Sequence, residues 1–190
     1  GMRNHYFYFF ERLVSAFLPT ENDFTVLNRA VLSPGSYTPT ELCTELQTQL
    51  NAVSFFGSSA YTVSYSNTLH CATITLNYAG HGTYGSYHGF IPVSAKVLAN
   101  TALQTYAQAH RSTNTNGQAY PSSTQGSFTL SVNSESADGL FGIDAHVDAG
   151  FRAVELLAIL NDTATTTQFP KTYVSNEVDV RNVHTLYLHS

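Results

Sequence analysis

Asp144, His146 and Asp148 in "DAHVD" are the residues of this chain whose types and spacing come nearest to chemistry. On a strand, positions i, i+2 and i+4 share one face. Two carboxylates and an imidazole on one face form a donor set for a divalent metal such as Zn²⁺ or Mn²⁺. A solvent-facing polar strand side carries the same residues and is the commoner outcome, so no metal is expected here. His81 and His88 in "AGHGTYGSYHGF", with His70 or His110, supply further imidazoles, but no HxxxH or HxH pair is among them. Serine, histidine and aspartate are plentiful, yet no Gly-x-Ser-x-Gly elbow is present to raise a nucleophile. "GTYG" and "GSYHG" lack the strand–helix setting of a phosphate loop. Asn161-Asp162-Thr163 is a glycosylation sequon and nothing more. The sequence therefore predicts no catalytic residue and no cofactor, with Asp144, His146 and Asp148 the place where a metal would break that expectation.

The elements that would position such residues read mainly as strand. "DFTVLNRAVL" has period-two character, with Phe24, Val26, Ala30 and Leu32 on one side. "AYTVSYS" sets Tyr61, Val63 and Tyr65 against Thr62 and Ser64, and "HCATITLNY" sets Ala72, Ile74, Leu76 and Tyr78 against Thr73, Thr75 and Asn77. Ser66-Asn67-Thr68 joins these two runs as a β-hairpin. "SFTLSV", the stretch around "LFGIDAHVD" and the closing "EVDVRNVHTLYLHS" are further strand-like runs. Strands separated by polar turns point to an antiparallel β-sandwich rather than a βαβ protein.

One helix interrupts this pattern. Pro34-Gly35 closes the strand before it, Thr38 and Glu41 have capping-box spacing, and Pro39 stands at the first helical position. Leu42, Leu46 and Leu50 then form an i, i+4, i+8 stripe, which predicts an amphipathic helix over 39–52 docked by one face. Cys43 lies beside that stripe, so a buried free thiol is expected there rather than a bridge to Cys71. "PVSAKVLANTALQTYAQAH" places Leu98, Ala102 and Tyr106 at helical spacing. "AGHGTYGSYHGF" reads as a loop with aromatics available to a ligand, and residues 111–127 as an exposed polar loop.

Gly1 before Met2 reads as a remnant of tag cleavage and is set aside. In "HYFYFFERLVSAFLP", Glu11 and Arg12 interrupt the apolar run, which argues against a signal peptide and against a membrane span of about 20 apolar residues. Tyr6, Phe9, Phe10, Leu13, Val14 and Phe17 match helical spacing, while "HYFYFFE" equally fits a strand. Residues 1–21 are expected to be an aromatic arm or helix packed on a single domain over 22–190, or on a neighbouring subunit.

Composition narrows the partners. Charged residues are 11% of the 190, against roughly a quarter in an average protein, and Lys+Arg number 8 against 13 Asp+Glu. Nucleic-acid binding needs a basic footprint to replace phosphate counterions, so it is not expected. Neutral polar surfaces of this kind suit binding modules and shells that pack against identical neighbours.

"PGSYTPTELCTELQTQLN", preceded by a strand and followed by the hairpin "YTVSYSNTLHCATITL", resembles the minor capsid and penton-like jelly-roll proteins of double-stranded DNA viruses. Virophages, polinton-like viruses and some large algal or amoebal viruses carry such proteins. In that family a Gly-x-Tyr-Thr turn precedes a short helix ending in Leu-Asn, and a strand pair follows. "EVDVRNVHTLYLHS" is similar to the family's closing pattern, a Val-Asp-Leu step before an apolar strand ending in Ser. "SADGLFGI" resembles its Gly-Leu-Leu-Gly-Phe segment, with Phe141 and Ile143 in shifted apolar places. The likeness spans residues 22–78 and, more loosely, 134–190. Residues 80–127 and the aromatic N-terminus have no counterpart in it.

The resemblance implies a jelly-roll-like sandwich with the helix 39–52 inserted and one or two further short helices. It implies a structural, non-enzymatic virion protein whose partners are its own copies and other capsid proteins. A carbohydrate-binding or adhesion sandwich, with loop tyrosines stacked on glycans, is the alternative expectation.

Overall fold

The computed structural model describes residues 5–15, 24–77, 86–109, 141, 143, 149–162, 169–175 and 186–188. In chain order the elements are β1 (Tyr6–Ser15), β2 (Phe24–Val31), β3 (Gly35–Tyr37), α1 (Pro39–Val53), β4 (Tyr61–Ser66) and β5 (Cys71–Leu76). They continue with β6 (Ser86–Val93), α2 (Ala95–Leu98), α3 (Thr101–Ala109), α4 (Ala149–Asn161), β7 (Thr172–Val174) and β8 (Leu186–Leu188).

The aromatic opening is neither an arm nor a helix but the middle strand of a sheet ordered β2-β1-β6, antiparallel on both sides. Phe7 and Phe9 face one core and Tyr8 and Phe10 the other, all nearly inaccessible to solvent. A strand covered on both faces has no apolar–polar alternation to show, so its aromatic run satisfies helical and strand periods alike. Cross-strand pairing decides between them, and the run is internal rather than a surface for association.

α1 forms as its sequence dictates. Thr38 Oγ1 accepts the Glu41 backbone N–H at 3.3 Å, and Glu41 Oε2 accepts the Thr38 backbone N–H at 2.8 Å. Leu42, Cys43, Leu46 and Leu50 are buried along one side. The helix packs on β4 of a second sheet, ordered β4-β5-β7, whose hairpin runs in register from Tyr61↔Leu76 to Ser66↔Cys71. Tyr61 and Val63 are buried while Thr62 and Ser64 are exposed, as the alternation requires. The turn occupies residues 67–70, where His70 adopts a left-handed φ of 51°. A third, two-stranded sheet joins β3 to β8.

β4 is the edge strand of its sheet, and α1 covers that edge. Asn51 Oδ1 accepts the Tyr61 N–H at 2.8 Å and its Nδ2 donates to the Tyr61 carbonyl at 3.0 Å, while Gln47 Oε1 accepts the Val63 N–H at 2.9 Å. Four helical residues rise about 6 Å and two strand residues about 6.6 Å. Gln47 and Asn51 therefore meet alternate outward-facing backbone groups, which would otherwise invite a foreign strand.

The core has two main parts, one on each face of β2-β1-β6. Phe7, Phe9 and Phe90 pack with Leu46, Leu50, Tyr61 and Ile74 on the side of α1 and the hairpin sheet. Tyr8, Phe10, Leu27 and Ile91 pack with Leu98, Leu103, Leu156 and Leu160 on the side of α2, α3 and α4. The result is antiparallel β-structure with a helical layer, and among the described residues helices hold nearly as much chain as strands.

Several expectations are corrected. The helix anticipated around Leu98, Ala102 and Tyr106 is two helices, broken where Asn100 Oδ1 accepts the backbone N–H groups of Ala102 and Leu103. Leu103, not Ala102, faces the core. Among the described residues three helices follow α1 rather than one or two, α4 being the addition. The second half of the Gly-rich "loop" is β6, from Ser86 onward. Gly89 is required there, since a Cβ would lie 2.1 Å from the Phe169 carbonyl oxygen where that segment crosses the strand. Cys43 and Cys71 are both buried and free, as expected. The polar loop 111–127, "SFTLSV" and most of the closing segment lie outside the described residues. No described helix is long and apolar enough to cross a membrane.

Candidate functional site

Glu11 and Arg12 are adjacent on β1, so their side chains leave opposite faces of the sheet. Each reaches the end of a different helix. Among the described residues they are the two acidic or basic groups buried deepest.

Glu11 is fully buried on the α1 side. Its Oε1 accepts hydrogen bonds from Ser54 Oγ at 2.6 Å and Tyr61 Oη at 2.8 Å. Its Oε2 accepts from Asn28 Nδ2 at 2.6 Å and the Phe55 backbone N–H at 2.8 Å. Ser54 Oγ also accepts the Phe56 N–H at 3.0 Å, which leaves its proton for Glu11. Four donors from β2, β4 and the segment after α1 thus converge on one carboxylate.

Burial raises the Glu11 pKa above its ordinary 4.5, although all four hydrogen bonds oppose the shift. The phenol of Tyr61 is pushed well up as well, by burial first and then by the carboxylate beside it. Both donors to Oε2 are obligate N–H groups, so a proton on Glu11 belongs on Oε1, where two hydroxyls can rotate to accept it.

Arg12 caps α4. Its Nη1 donates to the Ile159 and Asp162 carbonyls at 3.1 and 3.3 Å, and its Nη2 to the Leu160 carbonyl at 2.6 Å. Nε donates to Thr25 Oγ1 at 3.0 Å, and the guanidinium lies 4.4 Å from the Phe169 ring centroid. A cation at a helix C-terminus meets carbonyls that lack intrahelical donors and the negative end of the dipole. Burial lowers the Arg12 pKa, which Tyr106 and then Asp162 oppose, and an arginine remains charged under either influence.

These geometries are those of positioning groups. With both oxygens of Glu11 doubly engaged and the group inaccessible, the carboxylate offers no acceptor to a substrate proton. Its effect is to tie β1, β2, β4 and the end of α1 together. The sequence reading took Glu11 and Arg12 only as interruptions of an apolar run. The signal available was two adjacent opposite charges, which on a two-faced strand must go to separate destinations.

Most of the residues singled out from sequence are not among those the structure describes. Asp144, His146 and Asp148 lie outside the described residues, as do His81 and His110. His88 is buried on β6 with its ring centroid 6.0 Å from that of Phe56 in an edge-type contact, and His70 stands at the hairpin turn. Among the described residues no three His, Cys, Asp or Glu side chains group as metal ligands. Asn161 is exposed at the end of α4. No protein-family model, curated protein or solved structure matches the chain.

Proposed function

We propose that the chain is a structural shell protein, a jelly-roll-type minor capsid or penton-like virion subunit that works by protein–protein contacts rather than by a reaction. The observation that carries this reading is the outer side of α4, where Phe151 and Val154 are each 65% exposed. Large apolar side chains grouped on a surface mark a contact site, and the sparse charge of this chain sets little repulsion against identical neighbours. Two antiparallel sheets facing across a shared core, with a capped helix inserted before the hairpin, are in keeping with the jelly-roll part of the reading. The internal place of the aromatic N-terminus means that assembly uses other surfaces than that run.

Sedimentation velocity over a concentration series, with electron microscopy of the most concentrated sample, tests the proposal. Concentration-dependent assembly into defined oligomers is the expected result. A strict monomer at every concentration would overturn it. The loop tyrosines on which the glycan-binding alternative rests, such as Tyr84 and Tyr120, lie outside the described residues.

A further inference from the structure

α4 is apolar on more than its buried side. Ala153, Leu156 and Leu160 face the core, whereas Phe151, Val154 and Ala158 are exposed at i, i+3 and i+7. At 3.6 residues per turn this second set is a continuous stripe opposite the first. A helix that is apolar on both sides is one that becomes covered on both. Along one flank of the stripe, Arg152 Nη1 and Glu155 Oε2 form an ion pair of 3.0 Å.

We propose that the stripe is covered by a second copy of this chain, α4 against α4, antiparallel about a two-fold axis, with Phe151 of each copy against Val154 of the other. This rests on the self-assembling reading and names its contact. The arrangement of charge selects the partner. A two-fold antiparallel pair brings the same flank of both helices together, so Arg152 of each copy faces Glu155 of the other. The existing pairs then become a four-membered alternating network. A parallel two-fold pair would bring opposite flanks together and leave Arg152 and Glu155 with no cross-pair, so it gains nothing from them.

Gly150 and Ala158 are exposed and small, and they let the helix axes approach to the usual 8–10 Å. Two large side chains per copy fall far short of the roughly 1,600 Å² of a standard stable interface. The pair alone is therefore a weak contact that forms at high concentration, as suits a subunit held by many such contacts in a shell.

Sedimentation equilibrium of the full chain gives the dissociation constant for the wild type, Val154→Lys, Glu155→Arg, and the double reversal Arg152→Glu with Glu155→Arg. Val154 and Glu155 are exposed and Arg152 is half-buried, so far-UV circular dichroism verifies that each variant is folded. Val154→Lys and Glu155→Arg should each weaken association about tenfold or more, as loss of one central contact does. The double reversal should restore the wild-type value, since it rebuilds the same pairs with opposite sense. Association of all variants at wild-type strength would overturn the α4 contact while leaving the shell reading in place. Weakening by the single variants without rescue by the double reversal would overturn the antiparallel self-docking. A wild type that never associates would overturn both.

Discussion

Glu11→Gln isolates the buried carboxylate, because glutamine keeps the shape of the protonated side chain and cannot ionise. Two effects compete in it. The amide gives up the charge assistance of all four hydrogen bonds, a loss on the order of 1 kcal/mol for each. It also removes a charge from the interior, where keeping one costs several kcal/mol even after relaxation, on the order of 3 or more. Burial wins this contest, since it raises the Glu11 pKa against all four hydrogen bonds together. The folded protein consequently holds a proton at Glu11 more tightly than the unfolded chain does. That contribution to stability is fully present below the unfolded value near 4.5 and is lost as pH rises through the raised folded value. Every tenfold by which the fold weakens the acid costs the ionised form about 1.4 kcal/mol. Glu11→Gln should lie close to the wild type in acid, gain on it as pH climbs past 4.5, and be the more stable protein at neutral pH. Urea midpoints from about pH 4 to 8 read the effect, followed by far-UV circular dichroism because the chain has no tryptophan. The difference between the two proteins cancels the titration of independent carboxylates elsewhere. A wild type that instead gains on the variant as pH rises would show that the four donors outweigh burial, and would refute the reasoning.

Four further outcomes are expected. Leu46→Ala, at a fully buried position under the hairpin sheet, should lower stability by about 2–5 kcal/mol in urea titration. Thr38→Ala removes the α1 cap and should cost about 1 kcal/mol by the same assay, with the loss confined to that helix end. Gly89→Ala puts a Cβ into the Phe169 carbonyl and should cost about 3 kcal/mol, seen as a depressed thermal midpoint, because backbone rather than a flexible side chain must give way. Cys43, whose thiol burial pushes up to about 12, should resist alkylation in the native protein at pH 8 and react only in denaturant; labelling of folded protein at Cys43 would show the helix face open.

What the sequence determined by itself is the part specified by neighbours in the chain. Thr38, Pro39 and Glu41 start α1, and Leu42, Leu46 and Leu50 choose its buried side, so start and face are both written within four turns. The β4–β5 hairpin is equally local, because alternation at Tyr61 to Ser66 and at Cys71 to Leu76 survives when one face packs and the other meets solvent. Asn100 also marked a helix start by its own type, a signal overlooked between Leu98 and Tyr106.

Tertiary structure alone decided the rest. β1 carries no usable period because helices and α1 cover its two faces, so pairing with β2 and β6 had to choose strand. The paths of Glu11 to the end of α1 and of Arg12 to the end of α4 depend on helices about 40 and 150 residues away, which no local pattern encodes. α4 escaped notice for the converse reason: a helix apolar on both sides has no amphipathic stripe to betray it, and only the packing of Ala153, Leu156 and Leu160 against β1 and β6 shows which side is inside.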